Sequence, residues 1–165
     1  LDRQFDAKNP LEAIVTDLTY VRVKNRWAYV CFIIDLYNRE IIGLSVGWHK
    51  TAELVKQAIE SIPYALTKVN LFHSDRGKEF DNQLIDEMLE AFDITRSLSQ
   101  AGCPYDNAVA ESTYRAFKIE FINQESFRTL EELAAKTRDY VHWWNYHRIH
   151  GSLNYQTPMA IRLIA

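Results

Sequence analysis

Between residues 12 and 48 the chain reads as three strand-like runs broken only by two tight turns, and that opening constrains everything after it. Residues 12–23 (EAIVTDLTYVRV), Trp27 to Asp35 and Glu40 to Trp48 are rich in β-branched and aromatic residues, which suit a pleated, half-buried surface. Lys24-Asn25-Arg26 makes the first turn, with Asn25 the residue suited to positive φ, and Tyr37-Asn38-Arg39 centres the second. Three antiparallel strands in succession present two faces, and each face must be covered.

The rest of the sequence supplies the covers. Thr51 can cap a helix whose apolar face is Leu54, Val55, Ala58, Ile59 and Ile62, and Pro63 closes it. Lys68 to His73 predicts a short strand that delivers Asp75. A helix from about Asn82 turns Leu84, Ile85, Met88, Leu89 and Phe92 inward, and Ile94 to Leu98 predicts a fifth strand. After a loop at 99–106 containing Gly102 and Pro104, a long helix spans about Asn107 to Asn123. Thr129-Leu130-Glu131-Glu132 forms a capping box for a helix with Leu130, Leu133, Ala134, Thr137, Val141 and Trp144 on one side. Thr157 followed by Pro158 marks a final short helix. Strands first, then alternating helix and strand, then helices predicts a mixed α/β layer fold.

Length and composition set outer bounds. A chain of 165 residues is one domain's worth and hides roughly 70% of its unfolded surface. No apolar run approaches about 18 residues, so no membrane span is expected, and no signal-peptide pattern opens the chain. Cys31 reads as a buried strand thiol and Cys103 as a loop residue. Two cysteines make no disulfide framework or zinc motif, which favours a reducing cytoplasm. The net charge of −3 does not advertise nucleic-acid binding. Residues 1–110 carry 12 Lys/Arg against 16 Asp/Glu, a balance of −4, whereas residues 111–165 carry 7 against 6, a balance of +1.

Three acids stand out against this background. Asp17 interrupts the run AIVTDLTYV, Asp75 ends VNLFHSDRG, and Glu111 lies in the helical stretch NAVAESTYRAFKIEF. Carboxylates are hard oxygen ligands suited to Mg²⁺ or Mn²⁺. Two at strand ends and one on a helix can hold a metal pair for phosphoryl transfer on nucleic acid. Each also has a plainer reading. Asp17 can be an edge-strand acid facing solvent, Ser-Asp-Arg-Gly is a good turn, and Glu111 with Arg115 is an ordinary i, i+4 pair. Arg115 and Lys118 share a helix face with Glu111, a place for phosphate contacts beside a metal ligand.

HSDRGKEF, GCPYDNAVAESTYRAFKIE and the tail YVHWWNYHRIHGSLNYQTPMAI together resemble the DDE transposases of insertion sequences, in the IS-three family, relatives of the retroviral integrases. The resemblance runs from about Thr16 to the C-terminus. It implies a ribonuclease-H-like fold, with a mixed five-stranded sheet flanked by helices, and an activity of metal-dependent DNA cleavage and strand transfer in transposition. Asp17, Asp75 and Glu111 match the family's three catalytic, metal-holding acids, and Lys118 matches its basic residue after the glutamate. Two Mg²⁺ or Mn²⁺ ions, DNA as partner and a homo-oligomer in the active complex follow from the same resemblance. Relatives often have a tryptophan shortly before the first aspartate, where this chain reads EAIVTD. Full-length relatives carry helix-turn-helix segments upstream, so residues 1–165 are expected to hold the catalytic domain alone.

Secondary candidates flank the triad. His73, two residues before Asp75, can orient a carboxylate or pack in the core. Asn107 can orient Glu111 or begin its helix. Trp143, Trp144, Tyr146, His147, Arg148 and His150 form an aromatic and basic cluster that can contact DNA through Arg148, or dock the C-terminal helix. Asp35 and Glu40 read as structural, with Arg39 as the nearby cation.

Overall fold

The computed structural model describes residues 7–100 and 107–165. Cys103, Gly102 and Pro104 lie outside the described residues. Five strands, β1 (Ala13–Val23), β2 (Arg26–Asp35), β3 (Ile41–Gly47), β4 (Leu71–Ser74) and β5 (Thr95–Leu98), form one mixed sheet in the order β3-β2-β1-β4-β5. The first three run antiparallel, and β4 and β5 join in parallel. Each parallel addition follows a helix, α1 (Ala52–Glu60) before β4 and α2 (Gln83–Ala91) before β5, as a parallel crossover requires.

Alternation along the strands sorts the core into two layers. Ala13, Val15, Val21, Val30, Phe32 and Ile34 face α3 (Ala108–Glu120) and α4 (Leu130–Tyr146). Ile14, Cys31, Ile33 and Phe72 face α1 and α2. Cys31 is fully buried, as its strand setting predicts. Helix starts follow their caps: Thr51 accepts from the amide of Leu54 and Asn82 from that of Ile85. Thr157 accepts from the amide of Ala160 at the start of α5 (Pro158–Leu163).

Several expectations need correcting. The positive φ of the β1–β2 turn falls on Lys24 (φ 51°), not on Asn25. Lys68 ends a 3₁₀ turn, Leu66–Lys68, and the strand begins only at Leu71. The capping box at Thr129 is half formed. Thr129 accepts from the Glu132 amide, but the Glu132 carboxylate reaches one residue further back, to the amide of Arg128. The buried face of α4 includes Tyr140 and Asn145 beside Leu133, Thr137 and Trp144. Asn145 belongs there because its amide bonds both the N–H and the C=O of Ile41 in β3.

Asp35 and Glu40 are structural, but their cation comes from the other end of the chain. Arg162 Nη2 on α5 lies 2.7 Å from Asp35 and 2.6 Å from Glu40, while Arg39 Nη1 donates to the carbonyl of Leu36. Both carboxylates are buried, so pairing with a guanidinium fork is what makes their charge tolerable there.

Candidate active site

Asp17 lies on β1 and Asp75 directly follows β4, its parallel neighbour in the sheet. β1 pairs with β4 in parallel from Ala13↔Leu71 to Val15↔His73. The pairing ends there, two residues short of Asp17, and Asp75 is the residue after β4 ends at Ser74. Asp17 keeps the face of Val15 by strand alternation. That is the face α3 covers, and Glu111 lies in the first turn of α3. Asp17 and Glu111 line one cavity of about 400 Å³, together with Leu18, Thr19, Tyr114, Arg115, Lys118 and Ile119.

Electrostatics tie the three acids together. Burial pushes the Asp17 carboxyl up from 3.8 to about 7, against the Leu18 amide that donates to it at 2.8 Å. The negative charges of Asp75, Glu111 and Glu79 push it further in the same direction. Like charges converging on a half-buried carboxyl make a site that a cation would relieve. The donor set is all oxygen, which fits a hard divalent ion. Among the described residues, no three His, Cys, Asp or Glu side chains stand close enough to enclose an ion by themselves.

Two partners of the triad were not evident in the sequence. Tyr114, which the pattern assigns to the apolar stripe of α3, buries its hydroxyl between two strands. It accepts the Phe32 amide at 2.7 Å and donates to the carbonyl of Asp17. The available signal was chemical, since a buried tyrosine hydroxyl needs a partner. Glu79 is the other, a buried acid bridged to Lys50 at 3.3 Å. A Cβ at Gly77 would stand 2.5 Å from Glu79 Oε1 and 2.9 Å from Asp75 Oδ1. Asp75 Oδ1 also accepts the Gly77 amide at 2.7 Å. The turn after β4 therefore packs a bare backbone between two carboxylates, and a side chain at residue 77 would have to push those carboxylate ends aside.

The secondary candidates fall in different places. His73 is buried, with Nδ1 2.8 Å from Ser97 Oγ and Nε2 3.1 Å from Ser99 Oγ, so it joins β4 to β5 and its neighbouring loop. Asn107 stands at the N-cap position of α3 without a side-chain capping bond, and its buried Oδ1 has no partner among the described residues. Lys118 donates to the carbonyl of Tyr20 at 3.1 Å and lies over that residue's ring. Arg148 lies in a separate cleft with Trp144 and His150. There it is paired to Glu120 at 2.6 Å and stacked over Trp144.

Comparison with known proteins agrees with this architecture. The simian T-cell lymphotropic virus intasome, solved in complex with PP2A regulatory subunit B56 gamma, contains a chain that superposes with a TM-score of 0.79 at 12% identity, covering 94% of this chain and 55% of that one. The HTLV-2 integrase catalytic core domain, solved in complex with magnesium in a trimeric form, gives 0.71 at 16% identity, covering 94% and 98%. The fold is therefore the ribonuclease-H-like fold of retroviral integrase catalytic cores. The integrase core domain profile matches residues 7–104, and a second integrase core domain profile matches residues 92–158. The chain belongs to the integrase core domain family. Transposase InsF for insertion sequence IS3A of Escherichia coli (strain K12) is 30% identical over 160 residues, 93% of this chain and 56% of that protein. The putative transposase InsK of element IS150 from the same strain is 30% identical over 98% of this chain and 58% of its own length. The chain thus spans a little over half the length of the curated relatives it matches.

Among the described residues, no helix is long and apolar enough to cross a membrane.

Proposed function

We propose that this domain cleaves DNA and transfers the resulting strand to a second duplex, the chemistry of a DDE transposase. The observation that carries the reading is that Glu111 lines the same cavity as Asp17, while Asp75 follows the parallel neighbour strand β4 and its charge acts on the Asp17 carboxyl. Asp17, Asp75 and Glu111 would hold Mg²⁺ or Mn²⁺, two ions in this reading. Bound there, the ions supply the positive charge that activates an attacking water and stabilises a leaving 3′ oxygen. Magnesium in the HTLV-2 integrase core supports that choice of metal.

The protein's own part is positioning. Arg115 and Lys118 extend along α3 from Glu111 and offer cations to the DNA backbone on either side of the reacting phosphate. Glu79, bridged to Lys50 and packed against Gly77, holds the Asp75 turn in place. His73 fixes β4 against the segment after β5 and so steadies the strand that presents Asp75. Asn107 begins the helix that carries Glu111. Arg148 is a further DNA contact only if it keeps its Glu120 pair, because Glu120 would otherwise be left half buried without its cation. The working assembly is a homo-oligomer on DNA, a reading supported by the trimeric form of the HTLV-2 core.

The test is Mg²⁺-dependent nicking and joining of labelled DNA ends by the protein. Replacing Asp17, Asp75 or Glu111 with the corresponding amide should abolish both while leaving the circular dichroism spectrum unchanged. Wild-type turnover by any one of these variants would remove that residue from the site. Nicking without joining would reduce the function to that of a nuclease.

A further inference from the structure

Beside the acid cavity the β1–β2 hairpin carries an aromatic and cationic surface that the cleavage chemistry does not use. Tyr20 and Trp27 are 56% and 48% exposed, and their rings meet edge to face at 5.0 Å. Both stand on the sheet face opposite α3, since Tyr20 shares the parity of Ile14 and Trp27 pairs with Arg22. Arg22 lies over the Trp27 ring at 5.2 Å. Lys118 comes from α3 on the other face, yet its ammonium is 4.3 Å from the centre of the Tyr20 ring. Past Val15, β1 no longer pairs with β4, and Lys118 reaches round the strand there. One lysine therefore touches both the acid cavity and the aromatic pair.

The charge of this hairpin is unlike that of the chain. From Leu18 to Ile34 there is no acid, while Arg22, Lys24 and Arg26 are all exposed cations. In a protein of net charge −3, such a stretch favours a polyanion. Half-exposed rings, each with a cation over one face, suit bases that have left their stack, since every base offers a π-face and each link a phosphate. A paired duplex hides its base faces and would leave the rings unused.

We infer that Tyr20 and Trp27, flanked by Arg22 and Lys118, form a stacking platform for an unpaired DNA strand that passes round the edge of β1 from the acid cavity. The inference rests on the proposed action on DNA and deepens it. One strand of a frayed end enters the cavity of Asp17 and Glu111, and its complement is held apart on the hairpin. The platform thereby makes the substrate a DNA end with melted terminal pairs.

The test compares three labelled DNAs on the 165-residue chain by fluorescence anisotropy: a blunt duplex, the same duplex with a tail of about three unpaired nucleotides, and the same with an abasic tail. Stacking of one or two bases predicts about tenfold tighter binding of the tailed duplex than of the blunt one. The abasic tail should lose that preference. The ratio should fall to about one in the Tyr20→Ala/Trp27→Ala variant and persist in Tyr20→Phe/Trp27→Phe, which keeps the rings. Equal affinity for tailed and abasic DNA, or a ratio unchanged in the alanine variant, would overturn the platform. So would a dimer that the alanine variant dissolves, since the face would then belong to a second copy of the chain. Mg²⁺-dependent nicking assayed alongside separates the two levels. Nicking without a tail preference removes the platform alone. Absence of both nicking and DNA binding removes the proposed function and the platform with it.

Discussion

The hydroxyl of Tyr114 donates to the backbone carbonyl of Asp17, so the helix that carries Glu111 is tied directly to the strand that carries the first acid. The same oxygen accepts the amide of Phe32, directly across from Asp17 in the β1–β2 register. The Tyr114 ring stacks on Phe32 with centroids 5.1 Å apart, which fixes the hydroxyl where it is needed. Tyr114→Phe should keep the stacking and leave two buried backbone groups without this partner. An unfolding free energy lower by about 1–3 kcal/mol is expected, measured by urea denaturation. Mg²⁺-dependent nicking should fall as well, because Glu111 loses its anchorage to Asp17.

Asp17 should make stability depend on pH in the absence of divalent ions. Its folded pKa is raised to about 7 from 3.8, so the folded state binds the proton more tightly than the unfolded chain. The stability this contributes is full below about pH 4 and is lost as pH rises through about 7. Asp17→Asn has no such loss. The variant should match the wild type near pH 4 and exceed it at pH 8 by on the order of 1–4 kcal/mol. Added Mg²⁺ should narrow the gap by favouring the charged carboxylate. A variant no more stable than wild type at pH 8 would mean that Asp17 is better solvated than its setting implies.

His150 acts in the opposite sense. Burial lowers its pKa from 6.5 to about 4, and the neighbouring Arg148 and Arg39 charges add to that, against the Trp144 carbonyl and Glu120. Nδ1 faces Arg148 Nη1 at 3.1 Å, and a guanidinium can only donate, so the proton of the neutral ring sits on Nε2, towards the Trp144 carbonyl. The stability contributed is present above pH 6.5 and is lost as pH falls through about 4. His150→Gln should flatten the acid limb of the unfolding curve between those values. Its difference from wild type should change by on the order of 1–3 kcal/mol across the window, read by urea titration at several pH values.

Arg162→Met tests the clasp between the β2–β3 turn and α5. It removes the cation from two buried carboxylates, Asp35 and Glu40. Breaking a buried pair on one side costs about 3–5 kcal/mol, and a large drop in Tm by calorimetry is expected. Replacing all three groups with apolar residues of similar size should recover much of that loss, because the acids would no longer be stranded.

The strands and most helices were legible because their signals are local. Alternation in residues 12–48 set three strands, and Thr51, Asn82, Thr129 and Thr157 each cap the helix they precede. The family resemblance named Asp17 and Asp75 as a pair, and the observed parallel pairing of β1 with β4 ends at Val15 and His73, two residues before each acid. What escaped were partners set by tertiary contact. The cation of Asp35 lies at Arg162, far beyond the reach of any periodicity, whereas Arg39 was merely close in sequence. The Lys24 turn shows the same limit on a smaller scale. Asn25 had the better propensity for positive φ, but the strand register placed that demand on Lys24. Glu79 carried no sequence signal, because its closeness to Asp75 comes from the way the backbone folds at Gly77.

The joining of Arg162 to Asp35 and Glu40 also sets an order of events during synthesis. The β2–β3 turn leaves the ribosome long before residue 162 exists, yet the guanidinium that pairs its two buried acids comes from that residue. Until the last helix docks, Asp35 and Glu40 keep only their neutral hydrogen-bond partners, and the β1–β2 ladder can form without that clasp. The clasp on the β2–β3 turn is thus completed only when α5 exists. A chain halted before residue 162 would hold two interior acids at the β2–β3 turn with no guanidinium between them, a local weakness open to proteases and chaperones.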